Sequence, residues 1–225
     1  MTDLPTTDIP VSQPRLAASV ILLRDSPAGL EAFVQHRVAT MDFAAGMVVF
    51  PGGRVDAADQ DGWDYPAELL EQHAANWHLS SIAVDPEQAP AKSGMVLTAA
   101  LREVWEEAGL RLDASDLRPW ANWVTPTDMP KRFDTYFYVA KPAPEAAPQH
   151  QTTEAWQSLW MPVDGILAAE AAGTLQLMPP TYYLLKEIAG LGTVDAVWEA
   201  DHDVVPVLAP RGSMAAFLKE RENRR

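Results

Sequence analysis

Ala99-Ala-Leu-Arg-Glu-Val-Trp-Glu-Glu-Ala-Gly-Leu110 sets three carboxylates, Glu103, Glu106 and Glu107, at the spacing i, i+3, i+4. At about 100° per residue they share one arc of a helix, while Leu97, Leu101, Val104, Trp105 and Ala108 fall on roughly the opposite arc. One face is core and the other carries chemistry. Like charges at i, i+4 cost a helix a few tenths of a kcal/mol each, so three together call for an offsetting cation. Hard divalent cations take oxygen ligands, and Mg²⁺ is held by a few carboxylates while substrate phosphates and waters complete its octahedron. The plainer alternative is a solvated acidic face with Arg102 as an intrahelical partner.

Working outward, the helix closes at Gly109, in C-cap position, and is preceded by Phe50-Pro-Gly-Gly-Arg-Val-Asp56. Together these stretches resemble the Nudix box, which reads glycine, five residues, an acid, seven residues, then Arg-Glu-apolar-x-Glu-Glu-x-Gly-apolar. Arg102, Glu103, Val104, Glu106, Glu107, Gly109 and Leu110 fit its second half without a departure. With Gly53 as the opening glycine, Asp59 takes the acid position, as Asp instead of the usual Glu. The spacer departs from the pattern: about 35 extra residues, roughly 60–92, are inserted inside the motif. An inserted box of this kind resembles the subgroup containing the peroxisomal coenzyme A diphosphatase of animals. Gly46-Met-Val-Val-Phe-Pro-Gly-Gly-Arg-Val-Asp56 is similar to the end of the pattern associated with coenzyme A-cleaving members. His36-Arg37 stands where that pattern has Arg-Ser, and Leu177-Met-Pro-Pro-Thr-Tyr-Tyr183 resembles the Pro-Pro segment that follows the core.

The resemblance implies an α/β/α sandwich around a mixed sheet, and hydrolysis of a diphosphate with Mg²⁺ or Mn²⁺ as cofactor. Glu103, Glu106 and Glu107 are then the metal ligands, and Arg102 orients one of these glutamates. Gly52 and Gly53 let backbone approach metal or phosphate closely. A further acid from a later loop serves as base or ligand in such enzymes. Glu154, six residues before Trp160, is the best candidate, ahead of Asp134 and Asp164. For the 3′-phosphate of coenzyme A, the cationic candidates are Arg37, Arg54, Lys131 and Arg132; for stacking an adenine, Trp120, Trp123, Phe133 and Tyr136. Each of these side chains also has an ordinary reading as surface charge or core.

The 225 residues, 48% of them hydrophobic, suffice for one elaborated domain, expected over 15–225 behind a loose segment 1–14. A net charge of −14 argues against a nucleic-acid or anionic-membrane binder, while arginines and metal ions can still hold a small diphosphate. No cysteine is present, which removes disulfides, thiolate catalysis and zinc-cysteine sites. With no apolar run of membrane length and no Ser-Lys-Leu ending, a cytoplasmic protein is expected.

Along the chain, 15–24 and 30–36 read as a hairpin, and 117–124, 133–139 and 155–161 as further strands. The acidic helix is expected from Ser93, as N-cap, to Ala108. Pro162 opens a helix that Gly173 ends, Pro180 opens another, and a short strand at 204–208 precedes a last helix from Ser213. Within the insertion, 67–75 reads as a short amphipathic helix and the stretch through Pro86 and Pro90 has no clear pattern. This segment could be a lid, a homodimer contact or decoration.

The leading reading is a diphosphatase acting on coenzyme A or acyl-coenzyme A. An alternative is hydrolysis of ADP-ribose, NADH or another nucleoside diphosphate derivative. From a different class comes a non-catalytic nucleotide sensor, against which all three helix glutamates are intact.

Overall fold

Ala17 to Leu23 is an unbroken run of buried residues, the mark of a strand covered on both faces. It lies in β1 (Arg15–Ser26) of the computed structural model, which describes residues 12–39, 44–143 and 145–222. Alternate side chains of β1 serve two cores. Ala18, Val20 and Leu22 join one, and Ile21 and Leu23 the other.

A two-residue turn links β1 to β2 (Gly29–Arg37), and β3 (Val48–Val49) and β4 (Gly52–Arg54) follow as short antiparallel additions. After α1 (Ala67–Asn76) and α2 (Ala89–Ala108) come β5 (Leu117–Val124), β6 (Phe133–Ala140) and β7 (Ala155–Pro162). The chain continues through α3 (Val163–Ala171), α4 (Pro179–Leu191), α5 (Val194–Glu199), β8 (Val207–Leu208) and α6 (Ser213–Glu222). The sheet order is β3-β2-β1-β6-β5-β8, with β4 paired to β1 and β7 to β2. Parallel β1–β6 and β5–β8 pairs among antiparallel ones make the sheet mixed. One core packs α2 and the insertion on the first face; the other packs α3, α4 and α5 on the second. The expected mixed α/β architecture is what the chain adopts.

The expected segment 1–14 lies outside the described residues as far as residue 11. Two expectations are corrected. The acidic helix does not begin at Ser93: α2 starts at Ala89 with Gln88 as N-cap, and Ser93 sits fully buried inside it. The reason is Pro90, which in the first turn costs no hydrogen bond and is compatible with the helix rather than a break in it. Trp105 is not core; it is 42% exposed and stacks under the Arg111 guanidinium at 3.9 Å. It lies at the edge of the apolar arc, where a large ring reaches solvent. The sequence reading also passed over α5, only six residues long.

The insertion is no decoration. Its Trp77 and Ile82 are fully buried, and Trp77 meets Tyr136 and Tyr138 of β6 edge-on at 5.0 and 5.6 Å. Gly94 of α2 leaves the space that Trp63 fills; a Cβ there would lie 2.6 Å from the indole. His73 of α1 is buried beside Tyr138, and burial lowers its imidazole from 6.5 to about 4. Between those values the unfolded chain binds a proton that the folded chain refuses. The His73 contribution is therefore intact above pH 6.5 and fades as pH falls, reaching a loss of about 3 kcal/mol near pH 4. Urea unfolding at pH 7 and pH 4.5 should show His73→Gln losing less stability between the two than the parent; an equal loss would refute the assignment.

Candidate active site

The catalytic-looking arc of α2 faces β4 and the loop before it. At its C-terminal end, Gly109 adopts a left-handed φ of 62° and its N–H donates to the Trp105 carbonyl. Glu103, Glu106 and Glu107 are thereby held on the last two turns, along one wall of a cavity of about 1460 Å³.

Glu107 is the most enclosed, 5% exposed, and its Oε2 accepts from the Gly52 N–H at 2.9 Å. Burial drives its carboxyl up to about 7, against the opposing pull of that N–H; Glu103 nearby raises it further and Arg37 lowers it. Glu103 is raised too, chiefly by burial, with Arg102 opposing. It packs directly on Gly53, where a Cβ would stand 2.1 Å from its Oε1. At Gly52 a Cβ would stand 2.5 Å from the Ala18 carbonyl oxygen and 2.7 Å from Ser19 Cα. The two glycines are needed for different contacts: Gly52 for backbone on backbone, Gly53 for a carboxylate on backbone.

Arg102 joins the two halves of the motif. Its Nε and Nη2 donate to the two carboxylate oxygens of buried Asp59 at 2.9 and 2.8 Å, a bidentate pair. Nη2 also donates to the Arg54 carbonyl, while Nη1 bridges Glu103 and Glu106 at 2.9 and 3.1 Å. The hydrogen bonds to Asp59 are the largest reason the guanidinium is held firmly charged. Asp59 is itself fixed by a reciprocal cap with Asp56, whose N–H donates to Asp59 Oδ2 at 2.8 Å. Asp59→Asn should cost about 2 kcal/mol, since Arg102 loses one charge-assisted bond and keeps its other acids. Chemical denaturation measures it, and a neutral result would remove Asp59 from the site's support.

Glu154 stands just before β7, near enough for its charge to help raise Glu103, and its Oε2 accepts from Arg37 Nη2 at 2.9 Å. Its carbonyl also accepts from Val38 N–H. The β2–β7 register shifts between His36 and Arg37, a bulge that sets the direction of Arg37.

All ten residues singled out from sequence as catalytic, metal-binding or substrate-binding line this cavity: Arg37, Gly52, Gly53, Arg54, Arg102, Glu103, Glu106, Glu107, Arg132 and Glu154. Lys131 lines it as well, as do Met178, Pro179 and Pro180 of the Pro-Pro segment. Asp134 does not; it is buried against Asn122 and Ser81. Of the aromatic candidates, Trp123 and Phe133 line the cavity, while Trp120 is stacked on His202 at 4.3 Å and Tyr136 is buried under the insertion. Sequence reasoning missed the far limb, where Tyr183, Met214 and Phe217 line the cavity. It is formed by α4 and α6, and α6 is docked through an Arg221–Glu170 ion pair and the Arg221 guanidinium over the Tyr182 ring of α4 at 4.5 Å. The α6 pattern gives no sign of which face it turns inward.

The donor set fits a hard divalent cation in its chemistry. Four carboxylates, Glu103, Glu106, Glu107 and Glu154, border one cavity, and two of them are destabilised as anions by burial. Among the described residues no three acids or histidines converge as a coordination sphere; here Arg102 is the cation that draws Glu103 and Glu106 together. Glu103, Glu106 and Glu107 are the side chains that would hold a metal. Among the described residues no helix is long and apolar enough to cross a membrane.

Residues 84–179 match the NUDIX domain family. A Caenorhabditis elegans protein, "Putative nudix hydrolase 7", is 28% identical over 185 residues, which cover 78% of this chain and 60% of that protein. The chain thus spans about 60% of the length of that curated relative. A solved NUDIX hydrolase from Alicyclobacillus acidocaldarius superposes with a TM-score of 0.64 at 24% identity, covering 86% of this chain and 99% of that one. The NUDIX domain of Shewanella oneidensis NrtR, solved with ADP ribose, gives a TM-score of 0.51 at 16% identity over 80% and 88% of the two chains.

Proposed function

From the match of residues 84–179 to the NUDIX domain family, we propose a divalent-metal-dependent diphosphatase that acts on a nucleoside diphosphate linked to another moiety. The substrate is coenzyme A or acyl-coenzyme A, and the products are 4′-phosphopantetheine species and adenosine 3′,5′-bisphosphate. The observation that carries the reading is a wall of carboxylates facing a cavity of about 1460 Å³. That is more than the roughly 300–1,000 Å³ of an ordinary small-ligand pocket, and its apolar limb has room for a moiety beyond the diphosphate.

Mg²⁺ or Mn²⁺ held by Glu103, Glu106 and Glu107 would neutralise the diphosphate oxygens and acidify a water. Arg102, fixed by Asp59, orients Glu103 and Glu106 rather than touching substrate. Gly52 and Gly53 bring backbone against the glutamates without obstruction. Arg54, whose pair with Asp56 is long at 3.8 Å, is available to a phosphate oxygen. Glu154, oriented by Arg37, accepts a proton from the attacking water as its oxygen bonds to phosphorus. The anhydride P–O bond breaks, and its electron pair leaves on the departing phosphate.

ADP-ribose or NADH is the second reading, favoured by the ADP ribose bound to the similar Shewanella domain. Steady-state hydrolysis of coenzyme A, ADP-ribose and NADH in Mg²⁺ or Mn²⁺, with products resolved chromatographically, separates the two. Faster release of adenosine 3′,5′-bisphosphate than of AMP supports coenzyme A. The reverse order keeps the enzyme and discards that substrate, and binding without turnover points to a sensor.

A further inference from the structure

Among the described residues six cationic side chains, those of Lys131 and five arginines, line the cavity, and the arginines differ in what neutralises them. Arg37 is matched by Glu154, Arg54 by Asp56, and Arg102 by Asp59, Glu103 and Glu106. Arg132 is held in another way. Its Nε donates to the Thr125 carbonyl at 3.1 Å and its Nη1 to the Ser12 carbonyl at 2.7 Å. Carbonyls fix the plane of a guanidinium without cancelling its charge. Arg15 lies beside it, since the Arg15 N–H donates to the Arg132 carbonyl and Arg15 pairs with Phe133 across the parallel β1–β6 ladder. The Arg15 side chain is exposed and has no ion pair or side-chain hydrogen bond among the described residues.

Two arginines without carboxylate partners among the described residues therefore share one corner of the cavity, in a chain of net charge −14. The corner is next to the aromatic ring of Phe133, in the limb that Trp123 and Tyr183 also border. One guanidinium oriented by backbone carbonyls, that of Arg132, with a second, exposed one beside it, suits the tetrahedral oxygens of a phosphate monoester. We infer that Arg15 and Arg132 form a second anion subsite, separate from the carboxylate wall, for a phosphate monoester carried on the nucleoside part of the substrate. Under the coenzyme A reading, on which the identity of that group rests, it takes the 3′-phosphate. Of the other candidates from sequence, Arg37 is paired with Glu154 at 2.9 Å, and Arg54, only loosely paired with Asp56 at 3.8 Å, serves the diphosphate beside the carboxylate wall.

Calorimetric titration of the full chain with adenosine 3′,5′-bisphosphate and with AMP, in Mg²⁺, tests the subsite without turnover. The bisphosphate should bind about ten-fold or more tighter, as expected for charge-assisted hydrogen bonds to one added phosphate. Arg15→Gln, whose side chain supports no other described contact, should remove most of that preference. The ratio of kcat/KM for coenzyme A over dephospho-coenzyme A should fall in parallel, through KM. Equal binding of the two nucleotides by the parent, or a preference that survives Arg15→Gln, overturns the subsite. If the bisphosphate preference holds while coenzyme A is not hydrolysed, the subsite stands and the substrate reading fails. If coenzyme A is hydrolysed no better than its dephospho form, the reading stands and the subsite falls.

Discussion

Glu106→Gln should lower kcat by about 10²–10³ in saturating Mg²⁺ while leaving the unfolding midpoint almost unchanged, because removing one charge that holds a reacting group costs several kcal/mol of transition-state stabilisation. Glu106 suits this test better than its neighbours. Its side chain is 53% exposed and its one described contact is the bond from Arg102 Nη1. An exposed ion pair contributes about 0–1 kcal/mol, so the neutral isostere should fold as before. Glu107 would give a mixed answer, since its carboxylate also accepts the Gly52 N–H that anchors β4. Circular dichroism and urea unfolding report the fold, and steady-state rates report the chemistry. Unimpaired turnover by a folded Glu106→Gln protein would refute the metal-site assignment.

Alanine at the two adjacent glycines should give opposite kinds of damage. At Gly52 the new methyl meets main chain of β1, which cannot step aside, so Gly52→Ala should cost about 3 kcal/mol of stability. At Gly53 it meets only the tip of Glu103, a side chain that can swing away. Gly53→Ala should then fold nearly normally yet lose about 10²-fold in kcat, the penalty for a catalytic group displaced by around an ångström. Denaturant midpoints and rates measured on both proteins decide it. Equal effects on stability would mean that the contact with Glu103 does not distinguish the two positions.

What could be read from sequence divides along physical lines. The α2 acids, the glycine pair and Glu154 were visible because local spacing and a family motif locate them, and they line one cavity. The strands of the central sheet were visible from apolar runs of strand length. The start of α2 was misread because proline in a first turn looks, in a pattern, like proline in a break. The insertion's role was hidden because Trp77 and Ile82 owe their burial to strands more than fifty residues away in sequence. The far limb of the cavity was equally hidden: α6 alternates no clear apolar face, and what fixes it is Arg221 reaching α3 and the rings of its own surroundings.

The parallel pairing of β1 with β6 sets Arg15 opposite Phe133. While the chain is being made, β1 therefore emerges well before the central neighbour that completes it. At roughly 5–20 residues per second, the wait is on the order of ten seconds. Through that interval the edge from Arg15 to Leu22 is an apolar strand with open hydrogen-bonding groups, competent to pair with another nascent chain. Yield of the native protein should then depend on the rate of synthesis and on chaperones that cover such edges, even when the finished fold is stable.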